Sequence, residues 1–222
     1  MDWQPIWIFL HVVMLVYWLG ADIGVFYCSF HIRRADYSKE TRAAILKVSG
    51  FINQFPLAMG IFILPVGLQL ADGLGLSPIT GWWLLVPWVL AVGWFLLTLR
   101  VARQRGSPAG QRLAKIDLGI RVVLITALLI SAIWTFVAGE PWGANWLALK
   151  VVIFAYVLTC GIGIRVTYRN AGAVFGRLVT QGSTPELEAE IKRLSTAVKP
   201  WVLTLWAGLV VMALVGISQP QF

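Results

Sequence analysis

The segment from Trp3 to Arg34 reads WQPIWIFLHVVMLVYWLGADIGVFYCSFHIRR, and it decides the fold class of this chain. Its apolar run is long enough to cross a bilayer as a helix, yet the run contains His11 and Asp22. An ionisable side chain at membrane depth is costly, so it usually faces protein, a cofactor or a water-filled cavity. The segment therefore predicts a membrane-spanning helix with one polar face.

The two ionisable side chains share that face at two depths. At about 100° per residue, positions 11 and 22 return to nearly the same side of a helix, roughly 16 Å apart along its axis. Trp18 lies close to the same stripe. We therefore take His11, Trp18 and Asp22 as candidate site residues.

The composition extends this interpretation to the whole chain. Hydrophobic residues make up 59% of the sequence, charged residues only 13%, and the mean hydropathy is +0.78. These values exclude an ordinary soluble domain. Apolar runs of spanning length occur at about 5–30, 49–71, 81–101, 117–138, 145–167 and 198–217. We predict an all-α, polytopic transmembrane helix bundle with six spans, formed as one domain over residues 1–222.

The basic residues predict the orientation of the bundle. Three connections carry nearly all of them: Arg33, Arg34, Lys39, Arg42 and Lys47; Arg100, Arg103, Arg105, Arg112 and Lys115; Arg165, Arg169, Arg177, Lys192, Arg193 and Lys199. Cytoplasmic loops of membrane proteins are enriched in Lys and Arg, so both termini are expected outside, in a bacterial cytoplasmic (inner) membrane. The same topology explains the net charge of +8, so no nucleic-acid partner is expected.

Tryptophans support the same register. Amphipathic indole rings prefer the membrane boundary. At the expected outer boundary stand Trp3, Trp7, Trp82, Trp83, Trp142 and Trp146.

Lys150, in the fifth span, is the basic residue that this rule does not explain. His11 and Lys150 both lie roughly 6–9 Å below the expected outer boundary, so they can meet at one depth. A neutral imidazole can ligate haem iron, and the lysine could be a second ligand or contact a propionate. The pair alone does not separate these roles from a packed histidine. His31 lies about 30 Å further along the helix, too far to share one metal with His11, and we interpret it as an interfacial residue.

A second polar cluster is predicted near the inner side. The fourth span begins at Asp117 and carries Arg121 about one turn in, at a depth similar to that of Asp22, while Asn53 lies near the inner end of the second span. Asp22, Arg121 and Asn53 could line an inner cavity, or Arg121 could snorkel to the interface. The tryptophan-rich third span is assigned no chemistry.

One short cytoplasmic helix is expected at about 184–196. Ser183 with Glu186 matches a capping box, Pro185 suits a first helical turn, and Glu188 with Lys192 is an i,i+4 pair. Its expected role is a solvated connector before the sixth span.

Two stretches carry a resemblance to a known family. FLHVVMLVYWLGADIGVFYCSFHIRR resembles the first helix of the HemJ-type protoporphyrinogen oxidases and the related CopD-like membrane proteins, and WLALKVVIFAYVLTCG resembles a later helix of the former. The resemblance implies a haem b cofactor associated with His11, Lys150 and His31. It also implies a membrane oxidoreductase acting on a porphyrinogen-like substrate, or an electron carrier. The chain departs from the family pattern in its number of spans, in Asp22 and in its last helix.

Two further functions stay open. A CopD-like copper transport protein is disfavoured by the presence of only four Met and two His. A non-catalytic subunit of a larger membrane complex would use the tryptophan-rich third helix as an assembly surface. The expected partners are membrane lipids, a redox partner or larger complex, and a second copy of the chain.

Overall fold

A computed structural model describes residues 3–104 and 106–221, and every extended regular element in these ranges is a helix. The helices are α1 Gln4–Ile32, α2 Lys39–Ile52, α3 Gln54–Gly73, α4 Leu85–Arg103, α5 Pro108–Ala138, α6 Asn145–Thr167, α7 Ala171–Gln181 and α8 Pro185–Ser218, with a 3₁₀ turn at Gly81–Leu84. Six helical segments, built on α1, α3, α4, α5, α6 and α8, are long and apolar enough to cross a membrane. The predicted six-span α-helical bundle is confirmed.

The spanning helices pack in the order of the sequence. Each contacts its neighbour along the chain, and α8 also contacts α1, which closes the ring. The main core lies inside it and contains residues such as Trp18, Phe154 and Leu209. The sixth span closes the bundle because its apolar face reaches both α6 and α1.

An even number of crossings puts both chain ends on one side of the membrane, here named the terminal side. The opposite side carries the basic connections after α1, α4 and α6 and is named the basic side. Arg105, in the connection after α4, lies outside the described residues. That the terminal side faces outward stays a prediction of the charge bias.

Two predicted span boundaries were wrong at the basic side. The second span was expected to begin at 49, but the helix is interrupted at Asn53. The segment before Asn53 forms a separate helix, α2, where the charge pattern predicts a loop. The fourth was expected from 117, but α5 begins at Pro108 because the Ser107 hydroxyl accepts a hydrogen bond from the Gly110 N–H at 3.0 Å. Local capping extends these helices beyond the apolar run that hydropathy detects.

The prediction of a separate cytoplasmic helix at about 184–196 was also wrong, because this segment is continuous with the sixth span in α8. Thr184, rather than Ser183, caps its first turn by accepting from the Leu187 N–H. The helix continues through Pro200. Before the membrane, α8 packs against α7 in a small apolar cluster of Val174, Leu178, Leu187 and Ile191.

Arg42 joins α2 to α8 on the basic side. Its side chain is buried, its Nε donates to the Ile32 carbonyl at 2.7 Å, and its two Nη atoms donate to the Glu188 carboxylate at 2.6 and 3.0 Å. Glu188 therefore pairs across helices, rather than with Lys192 as expected. This contact fixes the end of α1, the start of α2 and the first turn of α8 together.

Candidate functional site

The terminal side of the bundle holds His11 of α1 and Lys150 of α6, each facing a glycine. A Cβ placed on Gly67 of α3 would lie 3.4 Å from His11 Cε1, and one placed on Gly216 of α8 would lie 2.6 Å from Lys150 Nζ. Both polar side chains thus occupy space that a larger residue on the neighbouring helix would take. Helices α1 and α6 flank α8 in the ring and face a shared interior, where Trp18 of α1 meets Phe154 of α6 edge to face.

Neither group has a protein partner for its polar atoms among the described residues. The His11 Nδ1 atom is buried, and it neither donates nor accepts a hydrogen bond within the described residues. Lys150 forms no ion pair within the same ranges. The structure therefore places both side chains on the terminal side of the bundle, His11 with an unpartnered Nδ1 and Lys150 without an ion pair among the described residues.

Trp18 and His31, the other residues associated with this site, lie further along α1, toward the basic side. Trp18 is buried with its ring against Gly60, where an added Cβ would lie 3.0 Å away, so it seals the contact between α1 and α3. His31 lies on the basic side, with Nδ1 3.2 Å from the Tyr37 hydroxyl and its ring stacked on the Tyr37 ring. Neither of them faces the His11–Lys150 pair.

The inner cluster of Asp22, Arg121 and Asn53 does not form. Asp22 accepts a hydrogen bond of 2.7 Å from the Trp206 indole of α8. Arg121 instead binds Asp117, one turn earlier on its own helix. Asn53 stands at the junction of α2 and α3. The separation has a topological cause, since α1 and α5 are not neighbours in the ring.

A different cluster, centred on Asp117, occupies the basic side of the bundle. The Asp117 carboxylate is 1% exposed; it accepts from the Trp94 indole at 2.6 Å and from Arg121 Nε at 3.2 Å, and it forms an ion pair with Arg165. The Arg121 guanidinium also lies over the Trp94 ring, 5.1 Å from its centre. These four residues, here named the Asp117 cluster, join α4, α5 and α6.

Sequence reasoning missed this cluster because it treated Asp117 as the start of a span and gave Trp94 no role. Two signals in the sequence mark it: Asp117 and Arg121 stand at i,i+4, and Arg165 falls at the same inner depth on the next antiparallel helix. The partner for Arg121 was therefore local. The indole of Trp94 supplies the remaining donor, which no charge pattern marks.

The chemistry available at the two clusters differs. Asp117 is saturated by donors, as expected of a structural ion pair. At the His11–Lys150 pair, by contrast, His11 Nδ1 has no hydrogen-bond partner in the described chain. Among the described residues, no group of three His, Cys, Asp or Glu side chains could hold a metal ion by itself. Comparisons of the chain with protein-family models, with curated proteins and with solved structures find no match.

Proposed function

We propose that this chain is a haem-b-binding redox protein of the bacterial inner membrane, with His11 as an iron ligand. The observation that carries the proposal is the His11 Nδ1 atom, which is buried and has no hydrogen-bond partner in the described chain. By contrast, Asp22, Asp117 and Arg121 inside the spans all have hydrogen-bond partners. An unsatisfied polar group at this depth is costly, and a ligand that binds it would remove that cost.

Two further residues support the proposal. Gly67 has no side chain and lets the His11 ring lie against α3, since a Cβ there would stand 3.4 Å from His11 Cε1. Lys150 can act as a second ligand or hold a propionate carboxylate, and its long, flexible side chain suits both roles. Haem iron bound there would supply one-electron transfer, with a potential tuned by its ligands and by burial.

The chain's own residues have defined tasks in this proposal. His11 of α1 would bind the haem iron and orient the haem, and Lys150 of α6 would provide positive charge. Trp18 and Phe154 fill the interior toward the basic side and keep it apolar. An electron partner or a porphyrinogen-like substrate would approach from the terminal side.

The test is an absorption spectrum of the full chain, expressed with a haem supply and purified in neutral detergent. The wild-type protein should show a Soret band and reducible α and β bands. His11→Ala should abolish or strongly reduce haem retention, because it removes the ligand. His31→Ala is the matched control: it removes the other histidine, which is bonded to Tyr37, and should leave the spectrum nearly unchanged.

Lys150→Ala then separates the two roles of the lysine. Loss of a sixth ligand changes the spin state while haem stays bound, whereas loss of a propionate contact weakens retention with little spectral change. Circular dichroism and gel filtration verify that each variant is folded. A wild-type protein without haem bands, or a folded His11→Ala protein with full haem content and an unchanged spectrum, would overturn the proposal.

A further inference from the structure

A cleft on the basic side, away from His11, lies between the end of α1 and the first turns of α8. Its volume is about 430 Å³ and it is lined by Phe30, Arg33, Ala189 and Lys192, among others. Glu188 and Arg34 also line it, but Glu188 is neutralised by Arg42 and Arg34 by Asp36. Arg33 and Lys192 have no ion-pair partner among the described residues. The cleft therefore has an excess of positive charge.

Phe30 forms an aromatic floor under two of the nearby cations. The Arg33 guanidinium carbon lies 4.6 Å from the centre of the Phe30 ring, and Lys199 Nζ lies 5.8 Å from it. Arg33 Nε is buried and has no hydrogen-bond partner in the described chain. The ring positions both cations, but it cannot accept the strong hydrogen bonds that a guanidinium group makes.

An apolar surface leads from the membrane to this cleft. Ile23, Tyr27 and Phe30 stand at i, i+4 and i+7 on α1, so they share one face of the helix. Their side chains are 45%, 62% and 39% exposed, respectively. Phe30 ends this stripe, and Arg33 follows it within one turn. Hydrocarbon can thus cover the stripe while a polar group sits at its end.

We propose that this cleft binds the phosphate of an anionic phospholipid headgroup, whose acyl chains lie along the Ile23–Tyr27–Phe30 stripe. Arg33 and Lys192 contribute the positive charge, and a phosphate oxygen satisfies the guanidinium donors. Basic pockets between helices at the membrane surface recognise anionic headgroups in this way. Free phosphate would leave the adjoining apolar stripe without an occupant, so a lipid fits better. The proposal is independent of the haem proposal.

Native mass spectrometry of the full chain, purified in neutral detergent, tests the site. The protein is titrated with dioleoylphosphatidylglycerol or dioleoylphosphatidylcholine, which have the same acyl chains but differ in headgroup charge. We expect one tightly held phosphatidylglycerol and a clear preference over phosphatidylcholine. The double variant R33Q/K192Q should weaken phosphatidylglycerol binding about 25-fold, at roughly fivefold for each charge removed near the membrane surface.

The matched control is R103Q/R112Q, which removes two exposed arginines from the end of α4 and the first turns of α5, on the same side of the membrane. It changes the net charge equally and should leave the affinity within about twofold of wild type. K192Q alone, at an exposed position, should weaken binding about fivefold and serves if the double variant does not fold.

Three results would overturn the proposal: equal binding of both lipids, an equal loss in the two double variants, and displacement of phosphatidylglycerol by an excess of inorganic phosphate. The last would assign the cleft to a free anion.

Discussion

The Asp117 cluster and the His11–Lys150 pair are two sets of ionisable groups inside one membrane bundle, and they satisfy their polar atoms differently. Asp117 receives donors from Trp94, Arg121 and Arg165. His11 Nδ1 has no partner in the described chain, although the atom is buried. A saturated cluster stabilises the contact between its helices, whereas an unsaturated one is available to a ligand. The free energy of unfolding should therefore respond differently to substitutions at the two places.

The largest effect is expected for Asp117→Asn. The substitution leaves Arg121 and Arg165 without a buried counter-charge, which should lower the free energy of unfolding by about 3–5 kcal/mol. Thermal unfolding in detergent, followed by circular dichroism, measures it. Asp36→Asn is the control, because Asp36 pairs with Arg34 at the exposed surface and its substitution should change stability little. Equal losses for both variants would show that burial does not govern the Asp117 cluster.

An intermediate effect is expected for Glu188→Gln, which leaves the buried Arg42 without its carboxylate. Glu188 is partly exposed, so the expected loss is about 2 kcal/mol at neutral pH. Lys192→Gln, one helical turn along, is the control and should change stability little. A variant as stable as wild type would show that Arg42 is held by the Ile32 carbonyl alone.

The same pair predicts a pH dependence. Hydrogen bonds from Arg42 hold the pKa of Glu188 below its ordinary value of 4.5. A carboxylate with a lowered pKa in the folded state stabilises fully above the unfolded-state pKa, and this contribution disappears as the pH falls through the folded-state pKa. The stability difference between wild type and Glu188→Gln should therefore shrink below about pH 4.5. A difference that stays constant down to about pH 3 would contradict this linkage.

The smallest effect is expected for Lys150→Met in haem-free protein. Lys150 has no ion-pair partner among the described residues, so its removal should change the free energy of unfolding by no more than about 1 kcal/mol, in either direction. Lys115→Met, on the basic side of α5, controls for the added methionine. A loss above about 2 kcal/mol would mean that Lys150 is a structural residue like Asp117.

Hydropathy predicted the spanning helices because it is a local property of each segment. The bounds of α1 and α6 agree with the runs at 5–30 and 145–167 to within a few residues. The separate helix α2 was not predicted, because its charged residues resemble a loop and its burial depends on contacts with α1, α3 and α7. An amphipathic helix of this kind becomes stable through packing, which the segment alone does not encode.

The tryptophans also show that packing is not encoded in a local segment. The sequence predicts the same boundary position for all six of the tryptophans at the expected outer side. In the structure, however, Trp82 and Trp83 are strongly exposed, whereas Trp142 and Trp146 are buried in the bundle. Trp142 donates from its indole to the Ser131 hydroxyl at 3.0 Å. Boundary preference predicts the depth of an indole ring, whereas the direction in which it points depends on the neighbouring helices.

For the candidate site too, the sequence predicts the depth of each residue but not its contacts. Depth counting along two helices that run in the same direction predicts one depth for His11 and Lys150, and both lie on the terminal side. The same counting fails for Asp22 and Arg121, which share a depth but stand on helices that do not touch. A one-dimensional pattern contains the depth of each residue but not the order of the helices around the ring.

The sequence by itself determined the helical class, the number of crossings, the depth of each polar group and the side that carries the basic residues, because each follows from the transfer of local segments between water and lipid. The tertiary structure decided which polar groups meet: Asp22 with Trp206, Asp117 with Trp94 and Arg165, and Arg42 with Glu188. These pairings join residues far apart in the chain, and they depend on side-chain directions that only the packed bundle defines.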